Sequence, residues 1–111
     1  MRLSHYQSIF ALNIAQLIVI IFKHKFTCTL GEAWRPPEMA KIYKQLGKGI
    51  KGSQHCKKLA LDINLFKDGK YLRTTEAHAY FGGLWETLHP NNRWGGRYGD
   101  GNHYEMLTRK V

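Results

Sequence analysis

Between Ile9 and Phe22 lie fourteen residues of which only Asn13 and Gln16 carry a polar side chain. A stretch this apolar, in a chain of 111 residues, has to be placed before anything else. It falls short of the roughly 20 residues that a membrane span needs. A leader peptide also fits poorly. One charge, Arg2, precedes the run, and Phe22-Lys23-His24-Lys25 follows where a small-residue cleavage site would stand. Ser4 suits an N-cap, so the segment is expected as a largely buried core helix from there to about Lys23. Neither a cleavable signal nor stable membrane insertion is expected.

A chain of this length forms one domain, residues 1–111, with enough mass to bury a core. Cys28 and Cys56 have no C-x-x-C partner and form no disulfide framework, so both are expected as reduced thiols. Seventeen basic against eight acidic residues give a net charge of +9, which attracts polyanions such as nucleic acid, anionic lipid or a bacterial wall. The basic residues are dispersed and build no basic helix face or nucleic-acid motif, which speaks against a nucleic-acid partner.

After the first helix, Phe26 to Leu30 alternates apolar with polar as a strand does. Pro36-Pro37 stops it and opens a helix from Glu38 to about Leu46. Gly47-Lys48-Gly49-Ile50-Lys51-Gly52 matches a dinucleotide fingerprint in letters only, because it follows a helix, and is expected as a basic loop. Leu59, Leu61, Ile63 and Leu65 then share one face of a half-buried strand, with Ala60, Asp62 and Asn64 on the other. Small Ala60 leaves room beside Asp62. Lys67-Asp68-Gly69-Lys70 reads as a hairpin turn returning through Tyr71 to Arg73. Thr74 or Thr75 can cap a helix to about Leu88, in which Gly82-Gly83 permits close packing. His89 to Asn102 is expected as loop, before a final strand over about Tyr104 to Leu107.

Two imidazoles and one carboxylate, His55, Asp62 and His103, offer three ligands to zinc and leave its fourth position open, while Asp100 beside them can act as a base. The pattern Ser53-x-His55 followed by Ala60-x-Asp62 resembles the S-x-H-x-x-G-x-A-x-D signature of the zinc D-alanyl-D-alanine carboxypeptidases, vancomycin-resistance D,D-dipeptidases and phage L-alanyl-D-glutamate endopeptidases. Asp100-Gly101-Asn102-His103 is similar to that family's second motif, and Arg35 stands where the family places a substrate-facing arginine. The resemblance runs from about residue 27 to 107. It implies an α+β fold of the Hedgehog/DD-peptidase type, a small antiparallel sheet packed against helices. It also implies Zn2+ held by His55, Asp62 and His103, Asp100 as general base, and Arg35 as both catalytic and substrate-binding. Ser53 and Trp94 are further substrate-binding candidates, although Trp94-Gly95-Gly96 also suits a packing corner.

One position departs from the signature: Lys58 replaces the usual glycine, which bears on substrate preference. Cys56 is a minor alternative ligand, and Glu105 is a candidate partner for an imidazole. His5, His24, His78 and His89 lie in no matched motif and are assigned to structure or surface. The activity implied is a zinc metallopeptidase cutting peptidoglycan stem peptides, at L-Ala-D-Glu or D-Ala-D-Ala. A monomeric phage or prophage endolysin is expected, held in the host cytoplasm before release and acting on the wall. Two other classes stay open: a non-catalytic metal-binding module on the same fold, disfavoured by the intact acid at Asp100, and a small basic nucleic-acid-binding protein.

Overall fold

The computed structural model describes residues 2–47 and 54–108. Three helices, α1 (Leu3–Lys23), α2 (Pro37–Gln45) and α3 (Ala79–Leu88), accompany five strands, β1 (Thr27–Leu30), β2 (Ala60–Lys67), β3 (Lys70–Tyr71), β4 (Asn92–Trp94) and β5 (His103–Met106). The strands form one antiparallel sheet in the order β1-β2-β5-β4, with β3 paired to the far end of β2. Short 3-10 turns at Gln54–Lys57, Glu76–His78 and Gly95–Tyr98 complete the elements. Mixed helix and antiparallel sheet is the α+β class expected from the sequence.

β2 is the organising strand. Its alternation places Ile63 and Leu65, both fully buried, with Leu61 on the core face, while Asp62 and Asn64 face the other way. Ala60 on that second face is also buried, at 1% exposure, so its small side chain lies beneath covering chain. β5 repeats the division: Tyr104 and Met106 enter the core and His103 and Glu105 occupy the opposite face. The core closes with Phe10, Ile14, Leu17 and Ile21 of α1 and with Phe81 and Trp85 of α3. Trp85 sets its ring edge-on to Phe10 (5.6 Å) and to Tyr104 (6.2 Å) and donates its indole N–H to the Glu105 carbonyl at 2.9 Å. Such edge-to-face pairs add to the area that the rings bury.

Several expectations need correction. α1 is not buried all round, for Leu12, Val19 and Phe22 are 59%, 52% and 49% exposed. One sheet and α3 can cover a single stripe of a helix, and among the described residues no element lies opposite the remaining apolar ones. Ser4 lies inside the first turn, the N-cap position being Arg2. The helix expected after Thr74 opens as a 3-10 turn, in which Thr74 Oγ1 accepts from the Ala77 amide at 3.2 Å. The expected loop from His89 to Asn102 contains β4 and a 3-10 turn. Its glycines and asparagines are poor strand formers, but pairing with β5 supplies the backbone hydrogen bonds that local propensity does not. The hairpin turn is as expected, with Asp68 at φ 51° and Gly69 at φ 78°. Of the expected basic loop, residues 48–52 lie outside the described residues.

Candidate metal centre

Asp62 and His103 are directly opposed in the β2–β5 register, so their side chains rise from the same face of the sheet. His55 reaches that face from the 3-10 turn ahead of β2. The turn is closed by Lys58, whose amide donates to the His55 carbonyl at 3.2 Å, and it is tied to the chain beyond β1 by the Arg35 amide on the same carbonyl at 3.1 Å. Lys58 adopts φ 58°. That left-handed conformation accounts for a glycine preference at this place, because a side chain there is strained.

Three donor atoms converge. His55 Nε2 lies 3.1 Å from His103 Nδ1, and each lies 3.3 Å from Asp62 Oδ1. A tetrahedral ion with bonds of roughly 2.0–2.1 Å separates its donors by about 3.3 Å, so the triangle has the edge length that a small divalent metal requires. Among the described residues, this is the group of His, Cys, Asp and Glu side chains arranged to hold an ion; Cys56 is not part of it.

The outer nitrogens are anchored. His103 Nε2 is 2.6 Å from Glu105 Oε1, and His55 Nδ1 is 3.3 Å from the Ala33 carbonyl. Donation outward from those nitrogens would leave the lone pair of each ring's other nitrogen for an ion in the triangle. Burial penalises the charged form of Asp62, but hydrogen bonds from His103 and His55 overcome it and hold the carboxyl near pKa 2. Burial likewise works against the imidazolium of His103, yet its bonds to Asp62 and Glu105 lift it to about 9. Without a metal, His103 is therefore a cation between two carboxylates at neutral pH.

Asp100 sits at the rim. Its amide donates to the Gly95 carbonyl at 2.9 Å and its own carbonyl accepts from the His103 amide at 3.2 Å, which fixes it three residues before the ligand in a tight loop. A Cβ on Gly95 would come within 2.5 Å of the Asp100 carbonyl and 2.7 Å of His103 Cβ, so only glycine allows this approach. Partial burial raises the Asp100 carboxyl above its ordinary pKa; the positive charge of His103 opposes the rise and Asp62 adds to it.

Arg35 also comes to the site, but it does not stand open. Its Nε donates to Glu32 Oε1 at 2.8 Å, Nη2 donates to the same oxygen, and the guanidinium lies over the Tyr43 ring at 5.1 Å. Glu32 in turn is 3.8 Å from His55 Nδ1. Sequence reasoning missed Glu32, whose spacing of three residues to Arg35 was the available signal. Glu105 does meet an imidazole, and it also binds Arg93 Nε at 2.6 Å and the Tyr98 hydroxyl at 3.2 Å. Trp94 makes packing contacts. Its indole N–H donates to the Gly101 carbonyl at 2.7 Å, and a Cβ at Gly82 or Gly96 would come within 2.2 or 2.1 Å of its ring. Ser53 lies outside the described residues. Of the histidines assigned elsewhere, His78 is buried against the Tyr104 hydroxyl at 2.8 Å and His24 meets Tyr80 at 3.1 Å.

No family model and no curated protein sequence matches the chain. The fold has a counterpart among solved structures. The crystal structure of the Serratia marcescens L-Ala D-Glu endopeptidase ChiX is similar with a TM-score of 0.68, covering 84% of this chain and 77% of that one at 16% sequence identity.

Proposed function

We propose that this protein is a zinc-dependent peptidase that hydrolyses the stem peptide of peptidoglycan, with the L-Ala-D-Glu bond the favoured target. The observation that carries this is the triangle of His55 Nε2, Asp62 Oδ1 and His103 Nδ1 with Asp100 at its rim. The likeness of fold to an L-Ala D-Glu endopeptidase supports the choice of bond. His55, Asp62 and His103 would hold zinc, which when bound polarises a carbonyl and acidifies water. Asp100 would accept the proton of the attacking water at its carboxylate and deliver it to the departing amine nitrogen. Its raised pKa helps the second half of that exchange. Glu105 and the Ala33 carbonyl, by accepting from the outer nitrogens, would keep both imidazoles in the ligating tautomer when metal is bound. Arg35, oriented by Glu32 and Tyr43, would face charge developing on the carbonyl oxygen or a carboxylate of the substrate. Ser53 would contact substrate. A phage or prophage lysin, made in the host cytoplasm and acting as a monomer on the wall, is the setting in which we place it.

Mass spectrometry of fragments released from purified sacculi tests this. Wild type should release stem peptides cut at L-Ala-D-Glu, lose activity in a chelator and regain it with zinc. Asp100→Asn should lower the rate 10^2–10^4-fold, the usual contribution of a positioned acid or base, while still binding metal. Equal release by both proteins would refute the role of Asp100, and no release by wild type would refute the activity.

A further inference from the structure

Among the described residues, none covers the outer face of α1. From Leu3 to Phe22 the helix contains no Asp, Glu, Lys or Arg, in a chain where 23% of residues are charged. Its inner stripe belongs to the core, whereas Leu12, Val19 and Phe22 stand in solvent with Ala11 and Ala15. Ala15, Gln16, Val19, Ile20 and Leu88 line a shallow apolar groove on this side. Solvent-facing helix surfaces ordinarily carry charges. A continuous apolar face without them marks a surface that something else covers.

The charges at its end indicate what. Lys23 closes α1 and Lys25 follows it. The β2–β3 hairpin brings Lys67 and Lys70 to the same end, where Lys67 Nζ donates to the Lys25 carbonyl at 3.4 Å and lies 4.5 Å from the Phe26 ring centroid. Across residues 22–30 and 66–73, Asp68 is the one acid against these four lysines and Arg73. An apolar helix face that ends in a lysine cluster complements the acyl boundary and anionic headgroups of a bilayer surface. A second copy of the chain fits poorly, because it would bring another +9 charge to the same place. Spanning fits poorly too. α1 has the length and hydropathy to cross, but crossing would tear Phe10, Ile14, Leu17 and Ile21 from the core. We propose that the outer face of α1 docks on an anionic lipid bilayer, the helix lying in the plane of the interface while the domain stays folded.

Cosedimentation of the full chain with vesicles tests this, using phosphatidylglycerol mixed with phosphatidylcholine against phosphatidylcholine alone. Binding should be at least tenfold tighter to the anionic vesicles and should weaken with salt. Val19→Ser combined with Phe22→Ser should lower affinity at least tenfold, and Lys23→Gln or Lys70→Gln about fivefold each. Failure of wild type to bind anionic vesicles, or unchanged affinity in the Val19/Phe22 double variant, would overturn the proposal. So would a dimer, seen by sedimentation equilibrium, that the double variant dissolves. Should that variant unfold, Val19→Cys carrying an environment-sensitive fluorophore decides: a blue shift on anionic vesicles supports the proposal, and no shift overturns it.

Discussion

Glu105→Gln should weaken metal binding in a way that depends on pH. Glu105 is 3% exposed and accepts from His103 Nε2 at 2.6 Å, so it both orients the ring and raises the basicity of the nitrogen facing the ion. Glutamine keeps the shape and removes the charge. Loss of such a partner typically costs 10–100-fold in affinity, or ~1.4–2.7 kcal/mol. A proton competes with the metal, however. With His103 at about 9, wild type must shed that proton to bind. At pH 6.5 the competition weakens wild-type binding by about 2.5 log units, and at pH 8.5 by only about half a unit. Removing the carboxylate lowers the pKa of His103 and relieves part of that competition. The variant should therefore show nearly its full deficit at pH 8.5 and a smaller one at pH 6.5. Competition against a chromophoric chelator at the two pH values measures this, with circular dichroism to confirm the fold. A deficit larger at pH 6.5 than at pH 8.5, or none at either, would refute the coupling of Glu105 to the ion through His103.

Other outcomes follow from packing and protonation. Gly96→Ala should destabilise the fold by ~1–3 kcal/mol in chemical denaturation, since its Cβ would land 2.1 Å from the Trp94 ring and indole cannot fold away. His78 is held neutral by burial, its pKa lowered from 6.5 to about 4. The unfolded chain takes up that proton first, so stability is complete above pH 6.5 and falls toward pH 4 by ~3 kcal/mol in all. Subtracting the profile of His78→Gln from that of wild type should isolate this slope, and identical profiles would disprove it. Lys58→Gly should relieve the left-handed strain at φ 58° and raise stability by ~0.5–1 kcal/mol after the entropy of glycine is counted, as read from the denaturation midpoint.

Of the donor triangle, the face of Asp62 was legible from period two, while His55 and His103 were legible through the resemblance of their motifs. Alternation from Leu59 to Leu65 turns Asp62 away from the core; that His103 opens β5 and shares a face with Glu105 is shown by the strand pairing, the expected strand having begun at Tyr104. Gly82-Gly83 announced close packing, which Trp94 supplies at Gly82. β4 was not legible. Asn92-Arg93-Trp94 has weak strand character of its own and is made a strand by β5, through the register that opposes Arg93 to Glu105. Glu32 escaped notice because no motif contains it; it lies 3.8 Å from His55 in a segment where the neighbouring Gly31 amide donates to the Asp62 carbonyl at 2.7 Å. The hydropathy of α1 told how much it favours leaving water and nothing about which side would find a neighbour.

The pairing of Asp62 with His103 spans forty-one positions of chain and exists only in one alignment of two strands. Sliding β5 by a single residue would send His103 into the interior and Tyr104 out to meet the carboxylate. A seat for an ion thus exists only once these two distant strands have paired in register. For the metal site proposed above, added zinc should accordingly raise the melting temperature, each further tenfold excess over the dissociation constant adding ~1.4 kcal/mol.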